Sequence, residues 1–347
     1  MKKIILLSLV NVLYSIPSPI EIEDVSPVAE EKGQFELLMP NSKPTEPETY
    51  LCTTIRLDKN NTYYITGFAP KADMGTAHHM LLFGCEDPGQ KEELFSCGEM
   101  GRILEGTKQA APCARGQQII YAWARNAPDL DLPEDVGFKV GGGGSIKYLV
   151  LQVHYASVDK IPETGDRSGV VLSYTNRPQA KRAGVYFVGT GGMIAPKTTT
   201  YMEAACKLNT DLTIHPFAFR THTHALGRVV SGWKVNPDMQ WSLIGKEDPQ
   251  KPQMFYPVKD QSMTLTRGDT VAARCTMVSY RDRITWVGAT AEDEMCNFYM
   301  MYWVQGDKKL SGERCNSVGP PVYTWDRWLV GGGLSNIPDE EASSLLR

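Results

Sequence analysis

The sequence lacks several features that common kinds of site or partner require. Its eight cysteines contain no Cys-x-x-Cys spacing, which argues against a zinc ribbon or a thioredoxin-type redox site. It has no basic block, and 36 Lys and Arg residues against 40 Asp and Glu residues give a formal charge of −4. Neither nucleic acid nor an anionic membrane surface is therefore an expected partner. Nor is there a long helical stripe, or an apolar run beyond the N-terminus that could span a membrane.

The N-terminus is typical of a secretory signal peptide, predicted here over residues 1–16. Lys2 and Lys3 supply positive charge, an apolar run follows from Ile4 to Leu13, and small residues lie near Ser15. The run is too short to cross a bilayer core of about 30 Å. Residues 17–48 are rich in Pro, Glu and Ser, which predicts a flexible lead-in or pro-region. The expected location is the secretory pathway, in a secretory granule lumen or outside the cell.

An even number of cysteines behind a signal peptide indicates disulfide bonds. Spacing alone cannot assign the pairs, because eight cysteines allow about a hundred connectivities. The sequence Asn60-Asn61-Thr62 is a glycosylation sequon, which makes Asn60 a candidate acceptor in a surface loop.

Length and turn chemistry predict the fold class. A chain of 347 residues favours two domains of about 150 residues each. Short apolar or alternating runs are separated by Gly, Pro, Asn and Asp, which predicts an all-β protein. We expect two consecutive antiparallel β-sandwich, jelly-roll-like domains over residues 49–180 and 181–335, with a tail over 336–347. A polar stretch at residues 177–184 suggests the boundary.

The chain has only six histidines, and five of them occur in patterns that suit metal binding. Side chains two apart on a strand share a face, so Arg220, His222 and His224 are expected on one side of a strand. The same period places Met295, Asn297 and Tyr299 together, and likewise Gln152 and His154. The adjacent pair His78-His79 can bind one metal only if a loop, bulge or twist turns both rings inward.

Each of these features also has an ordinary structural explanation. A single histidine is most often a hydrogen-bonded core or surface group, and Met295 alone suits a core gap. Arg220 alone would suggest a surface ion pair. His215, which precedes Pro216, is expected on the aromatic face of its strand and is predicted to be structural. The metal interpretation therefore depends on the combination of motifs.

In combination, four motifs resemble those of the copper type II, ascorbate-dependent monooxygenases, and the resemblance extends from about residue 50 to 307. It is strongest to the branch that hydroxylates the C-terminal glycine of peptides. The motifs are His78-His79-Met80, Gln152-Val153-His154-Tyr155, Arg220-Thr221-His222-Thr223-His224 and Glu294-Met295-Cys296-Asn297-Phe298-Tyr299.

The resemblance implies two copper ions per chain, one in each domain, facing each other across a water-filled cleft. It assigns the electron-transfer copper to His78, His79 and His154. It assigns the oxygen-activating copper to His222, His224 and Met295. It implies that Arg220, Asn297 and Tyr299 hold the substrate carboxylate. The residues that it implies to be catalytic are His222, His224, Met295, Tyr299 and Gln152. Ascorbate is the implied reductant and O₂ the co-substrate.

The resemblance also implies the disulfide pairs, which no spacing argument supplies. They are Cys52–Cys97, Cys85–Cys113, Cys206–Cys315 and Cys275–Cys296.

The implied reaction is hydroxylation of the α-carbon of C-terminal glycine in glycine-extended peptides, the first step of C-terminal amidation. Only about forty residues follow residue 310, too few for a second catalytic domain, so we expect a separate lyase to act on the peptidyl-α-hydroxyglycine. One alternative is a dopamine β-monooxygenase-like hydroxylase of a phenethylamine. Another is a secreted copper-binding protein without activity.

Overall fold

The computed structural model describes residues 31–98, 109–290, 292–327 and 333–345. The predicted signal peptide, residues 1–16, and residues 17–30 of the predicted lead-in lie outside the described residues. The all-β prediction is confirmed, since the regular structure described is strand apart from one short helix, Asp339–Ser343, named α1. No helix in the described ranges is long and apolar enough to cross a membrane.

The first half of the chain contributes twelve of the described strands. In chain order they are β1 Lys32–Leu38, β2 Thr49–Arg56, β3 Thr62–Lys71, β4 His79–Cys85, β5 Asp87–Pro88, β6 Leu94–Ser96, β7 Cys113–Arg115, β8 Gln118–Ala124, β9 Leu130–Asp131, β10 Val136–Gly141, β11 Tyr148–Tyr155 and β12 Gly169–Thr175.

The second half contributes eleven more described strands. They are β13 Lys181–Thr190, β14 Met193–Ile194, β15 Thr199–Lys207, β16 His215–His222, β17 Gly227–Val235, β18 Trp241–Glu247, β19 Tyr256–Pro257, β20 Thr270–Val278, β21 Thr285–Trp286, β22 Asn297–Gln305 and β23 Arg314–Ser317.

Two sandwiches result from the way these strands pair. In the first half a sheet of order β6-β2-β11-β4-β8 packs on the strands β1-β12-β3-β10. Leu82 and Phe83 of β4 share one core with Phe68 of β3 and Phe138 of β10. In the second half the sheet β15-β20-β17-β18 packs on β13, β22 and β16 around a separate core. Strands β4 and β11 are covered on both faces, which explains their nearly continuous apolar sequences.

The two halves are joined by more than the connecting chain. Strands β10 and β13 pair in parallel through Val136 with Lys181 and Gly137 with Arg182. One sheet therefore continues through both halves in the order β1-β12-β3-β10-β13-β22-β16-β19. The first core also extends to Phe217, Phe255 and Tyr299 of the second half. The facing surfaces are thus held by both hydrogen bonds and apolar contact.

Strand β1 lies in the stretch that composition suggests is a lead-in. Residues 32–38 pair with β12 at the edge of the long sheet, in register from Lys32–Thr175 to Leu38–Gly169. Leu37 is buried in the first core while Glu36 is exposed, and most other residues of the strand are exposed or half-buried, as at the edge of a sheet. Charged residues on the outer face account for the polar composition of this segment.

The last described segment packs on the second sandwich. Ala342 of α1 is fully buried, and its carbonyl accepts a hydrogen bond from the Ser231 hydroxyl at 2.9 Å. The Asp339 carboxylate pairs with the Arg274 guanidinium at 2.6 Å. Residues 339–343, inside the segment that the sequence predicts to be a tail, therefore cover part of the sheet that contains β17 and β20.

Four disulfide bonds use all eight cysteines, in the pairs that the family resemblance implies. The bond between Cys275 and Cys296 ties β20 to the residue directly before β22. Since Met295 is the neighbour of Cys296, this bond restrains the segment that carries the methionine.

Candidate metal centres

The first cluster of histidines forms where β4 and β11 lie side by side. His79 is the first residue of β4, and His154 lies opposite it on β11. His78 lies in the bend before β4, and its backbone N–H donates to the His154 carbonyl at 2.9 Å. Because His78 is outside the flat part of the strand, its ring can face the same point as the ring of His79. The bend expected for this adjacent pair is therefore present.

The three rings of this cluster converge through the same type of atom. The Nδ1 atoms of His78 and His154 are 3.3 Å apart, and each lies 3.4 Å from Nδ1 of His79. Three nitrogens at about 2.0 Å from one metal ion are separated by about this distance. Burial lowers the pKa of His78 to about 4, and burial also holds the pKa of His79 well below its usual value. The rings are therefore neutral at physiological pH, the form that binds metal.

The second cluster lies where β16 meets β22. His222 is the last residue of β16 and is paired with Asn297, the first residue of β22. Its Nε2 atom is 3.2 Å from the Met295 sulfur. Its Nδ1–H donates to the Gln253 side-chain oxygen at 2.6 Å, which leaves Nε2 as the nitrogen available to a metal.

One buried carboxylate holds both flanking ligands of this cluster. Glu294 is fully buried and accepts backbone N–H bonds from His224, from Leu226 at 2.6 Å and from Met295 at 2.9 Å. The ring of His224 donates through Nδ1 to the Asp293 carbonyl at 3.2 Å. This bond leaves Nε2 of His224 available to a metal, and the ring centre lies 5.6 Å from that of His222, two residues beyond the end of β16.

The donor atoms of both clusters fit copper. Imidazole binds both copper oxidation states, and a thioether favours Cu(I). Magnesium and calcium prefer oxygen ligands, which neither cluster offers at its centre. A structural zinc ion would prefer thiolates, and every cysteine is in a disulfide.

Arg220 lies beside the second cluster and is buried, with 2% of its surface exposed. It is paired with Tyr299 across β16 and β22, and its guanidinium lies 5.1 Å from the centre of the Tyr299 ring. Its Nε and one terminal nitrogen donate to the backbone and side-chain oxygens of Gln253, at 2.8 and 3.2 Å. Burial lowers the pKa of Arg220. Within the described ranges no carboxylate forms a salt bridge with it, so its charge is buried among neutral partners.

A narrow gap separates the predicted clamp from the first half of the chain. It holds about 10 Å³, enough for roughly one water molecule. Its lining combines both halves of the chain: His79, Leu81, Arg220, His222, Met295, Asn297 and Tyr299.

The two metal clusters adjoin each other in this structure. The ring centres of His79 and His222 are 5.8 Å apart. A cavity of about 240 Å³ beside them is lined by His78 and His154 from one cluster and by His222 and His224 from the other. The resemblance implies a water-filled cleft between the two sites. Here the two sites share a small cavity, and at the clamp the facing surfaces are almost in contact.

Three other residues singled out in the sequence lie elsewhere. Gln152 is fully buried and donates its amide to the Gly98 carbonyl at 2.8 Å, beside the Cys52–Cys97 bond. Asn60 is exposed in the turn before β3. His215 stacks on Trp303 with ring centres 3.7 Å apart, which suits the structural role expected for it.

Three residues that sequence reasoning did not single out form hydrogen bonds to the candidate metal ligands. Glu294 belongs to the motif around Met295 and could have been noticed there. Gln253 approaches from the loop between β18 and β19. Glu48 accepts a hydrogen bond from the ring of His154 at 2.9 Å. No spacing links Gln253 or Glu48 to a histidine along the chain.

Family models match both halves of this architecture. Residues 35–162 match the N-terminal domain of the copper type II ascorbate-dependent monooxygenases, and residues 181–328 match their C-terminal domain. The chain belongs to this family. As a copper type II ascorbate-dependent monooxygenase, it uses copper and ascorbate, and its six candidate ligands fall inside the two matched ranges.

Relatives within the family extend the comparison. The chain is 41% identical over 291 residues to peptidyl-glycine alpha-amidating monooxygenase A of Xenopus laevis, covering 83% of this chain and 30% of that protein. It is 39% identical to peptidylglycine alpha-amidating monooxygenase of Rattus norvegicus, covering 87% of this chain and 30% of that protein. Dopamine beta-hydroxylase of Homo sapiens is 28% identical, covering 80% of this chain and 47% of that protein. The chain thus spans about 30% of the length of the amidating relatives it matches.

Proposed function

We propose that this chain hydroxylates the α-carbon of the C-terminal glycine in glycine-extended peptides, using two copper ions, ascorbate and O₂. The product is then a peptidyl-α-hydroxyglycine. The amidating relatives support this substrate class, because they are more similar to the chain than the dopamine beta-hydroxylase is.

The observation that carries the proposal is the buried guanidinium of Arg220. A buried charge is costly unless it is paired, and Arg220 has only neutral hydrogen-bond partners among the described residues. A substrate carboxylate would supply the missing charge through two parallel hydrogen bonds. Asn297 and Tyr299 line the same gap and can complete the contact.

In this proposal His78, His79 and His154 hold one copper ion, and His222, His224 and Met295 hold the other. Bound copper supplies one-electron chemistry, so that two electrons from ascorbate and two protons convert O₂ and a C–H bond into a C–OH group and water. The protein's own residues orient the substrate. Arg220, Asn297 and Tyr299 hold the carboxylate beside His222 and Met295, which brings the neighbouring α-carbon to the methionine-containing site.

The chain's residues also fix the ligands and limit the water around them. Gln253 bonds both Arg220 and His222, so the carboxylate clamp and one ligand share a single support. Glu294 fixes the turn that carries His224. The gap of about 10 Å³ leaves little bulk water near the reacting carbon.

The competing function is hydroxylation of a phenethylamine, as the name of the dopamine beta-hydroxylase relative suggests for that protein. A phenethylamine carries an amine and has no carboxylate to pair with Arg220. The buried guanidinium therefore favours the peptide.

Product analysis tests the proposal. Copper-loaded protein, ascorbate and O₂ are incubated with a glycine-extended peptide, with the same peptide amidated at its glycine, and with tyramine. We expect only the free acid to become heavier by one oxygen atom, because only it offers a carboxylate to Arg220. Equal turnover of the acid and the amidated peptide would rule out the clamp, and turnover of tyramine alone would support the rival.

We further propose that the described residues catalyse hydroxylation only, and that a lyase encoded elsewhere cleaves the product. Five of the six histidines belong to the two clusters, and the sixth stacks on Trp303. Rapid, protein-dependent release of glyoxylate at mildly acidic pH would contradict this. Four disulfides suit an oxidising compartment, so we place the reaction in the secretory pathway or outside the cell.

A further inference from the structure

We propose that Glu48 is a positioning residue for the metal site of His78, His79 and His154, where it fixes the tautomer of His154 and adds a negative charge. The inference rests on the proposed copper site. It concerns a residue outside all four sequence motifs.

The hydrogen-bond geometry selects the tautomer. Nδ1 of His154 faces Nδ1 of His78 and of His79, so this nitrogen must offer its lone pair to a metal. A neutral imidazole then carries its proton on Nε2. Nε2 of His154 lies 2.9 Å from a carboxylate oxygen of Glu48, which accepts that proton in a hydrogen bond. The carboxylate thus disfavours the tautomer that could not bind metal.

The ring is held from a second side as well. Tyr50 stacks on His154 with ring centres 4.1 Å apart and planes 6° apart. Tyr50 is paired with His154 across β2 and β11, and Glu48 directly precedes β2. Stacking sets the plane of the imidazole, and the carboxylate sets its rotation within that plane.

The backbone at Glu48 is unusual for its residue type. Its φ is 57°, in the left-handed region that glycine and asparagine favour. Glu48 is half-buried, with 30% of its side chain exposed, whereas the His154 side chain is 3% exposed. Because Glu48 keeps a disfavoured backbone conformation while its carboxylate bonds a buried ring, we infer that its side chain has a role at this position.

Only one of the three rings has such a partner. In the described part of the chain, Nε2 of His78 and of His79 has no hydrogen bond comparable to that between His154 and Glu48. The site consists of three neutral imidazoles, so Glu48 changes its net charge by −1. That charge stabilises Cu(II) more than Cu(I), because the doubly charged ion is attracted more strongly.

Two substitutions separate the charge from the hydrogen bond. Glu48→Gln keeps an acceptor for Nε2–H but removes the charge, and Glu48→Ala removes both. Glu46→Gln is the matched control, because it removes the same charge from an exposed residue two positions away. All three are made in the full chain and also with His222→Ala and His224→Ala, so that only the first site binds copper.

The measurements are the Cu(I) and Cu(II) dissociation constants by chelator competition, the midpoint reduction potential and the Cu(II) electron paramagnetic resonance spectrum. We expect Glu48→Gln to raise the reduction potential and to weaken Cu(II) more than Cu(I). We expect Glu48→Ala to weaken copper binding by about 10- to 100-fold. Glu46→Gln should leave all three readouts unchanged. Circular dichroism of the apoproteins shows whether each variant is folded.

Two results would overturn the inference in distinguishable ways. If the parent site binds copper through three nitrogens and folded Glu48 variants keep its affinity, potential and spectrum, Glu48 has no positioning role while the proposed function stands. If the parent chain binds no copper at His78, His79 and His154, the proposed function itself fails, and the inference fails with it.

Discussion

The two candidate metal sites differ in what surrounds their candidate ligands, although both are built on neighbouring β-strands. The first presents three Nδ1 atoms, and the outer nitrogen of His154 is paired with the carboxylate of Glu48. The second presents Nε2 of His222 beside a thioether, and the outer nitrogens of its rings meet an amide oxygen and a backbone carbonyl. The outer ring nitrogens thus meet a carboxylate at one site and neutral oxygens at the other, where the buried carboxylate of Glu294 bonds to the backbone of the ligand segments instead of to a ring.

This difference suits two separate tasks. A carboxylate bonded to one of three imidazoles stabilises the higher oxidation state, whereas a thioether ligand favours the lower one. The second site adjoins Arg220, the buried group that binds the substrate carboxylate in the proposed function. The surroundings therefore suit electron storage at the first site and substrate oxidation at the second.

The largest expected effect comes from removing the sulfur that distinguishes the second site. Met295→Ala should lower kcat by more than about 100-fold, since loss of a ligand should exceed the loss of a residue that supports one. X-ray absorption of the reduced protein should show sulfur scattering in the parent and none in the variant. Met74→Ala, at an exposed methionine, is the control. Sulfur scattering that persists in Met295→Ala would remove this residue from the site.

The next largest effect concerns Arg220, the buried cation whose backbone pairs with Tyr299 beside the second site. Arg220→Ala should lower kcat/KM for a glycine-extended peptide by about ten- to a hundredfold, because hydrogen bonds to charged groups contribute about 1.5–3 kcal/mol. Both copper ions should remain bound. Arg220→Lys should give an intermediate value, since it keeps the charge but not the planar fork. Loss of copper from the first site in either variant would contradict the separation of the two sites.

A third change gives His222 of the second site a carboxylate partner, like the one that Glu48 provides for His154 of the first. Gln253→Glu places a carboxylate between His222 and Arg220, where it would pair with the guanidinium and compete with the substrate. We expect KM for the peptide to rise by about tenfold or more, while copper in the first site keeps its affinity. Gln240→Glu, on the exposed surface, is the control. An unchanged KM would mean that Arg220 does not receive the carboxylate.

The smallest effect tests a contact between the halves. Tyr50 donates its hydroxyl hydrogen to the Ala289 carbonyl at 2.9 Å and also stacks on His154. Tyr50→Phe keeps the stacking and should cost about 1 kcal/mol, which lowers Tm by about 2–4 °C. Tyr50→Leu should also weaken copper binding at the first site. Equal copper affinities in the two variants would exclude a role for the stacked ring.

The sequence predicts the strand-borne part of the site well, because a strand has a fixed period of two. Arg220 and His222 share a face of β16, and Asn297 and Tyr299 share a face of β22, so both faces could be deduced from spacing. Spacing could not show that β16 and β22 are neighbours, since strand pairing depends on long-range packing.

The residues that hydrogen-bond the candidate ligands could not be predicted from the sequence, for a different reason. Glu48 and Gln253 approach their histidines from separate loops, and a loop residue has no period that reveals where its side chain points. Strand β1 was also missed, because an edge strand with one polar face resembles a flexible segment in composition. The disulfide pairs needed the family resemblance, since about a hundred connectivities were open.

The narrow gap at the clamp sets a condition for the order of events. With room for about one water molecule, it cannot admit the glycine carboxylate of the proposed substrate until the gap widens between His79 and Leu81 on one side and Arg220, Asn297 and Tyr299 on the other. The proposed binding of peptide in the clamp therefore excludes the distance of 5.8 Å between the ring centres of His79 and His222. In the proposed function, whatever draws the two rings together therefore weakens the affinity for peptide, and bound peptide lengthens the path of an electron between the two candidate copper sites.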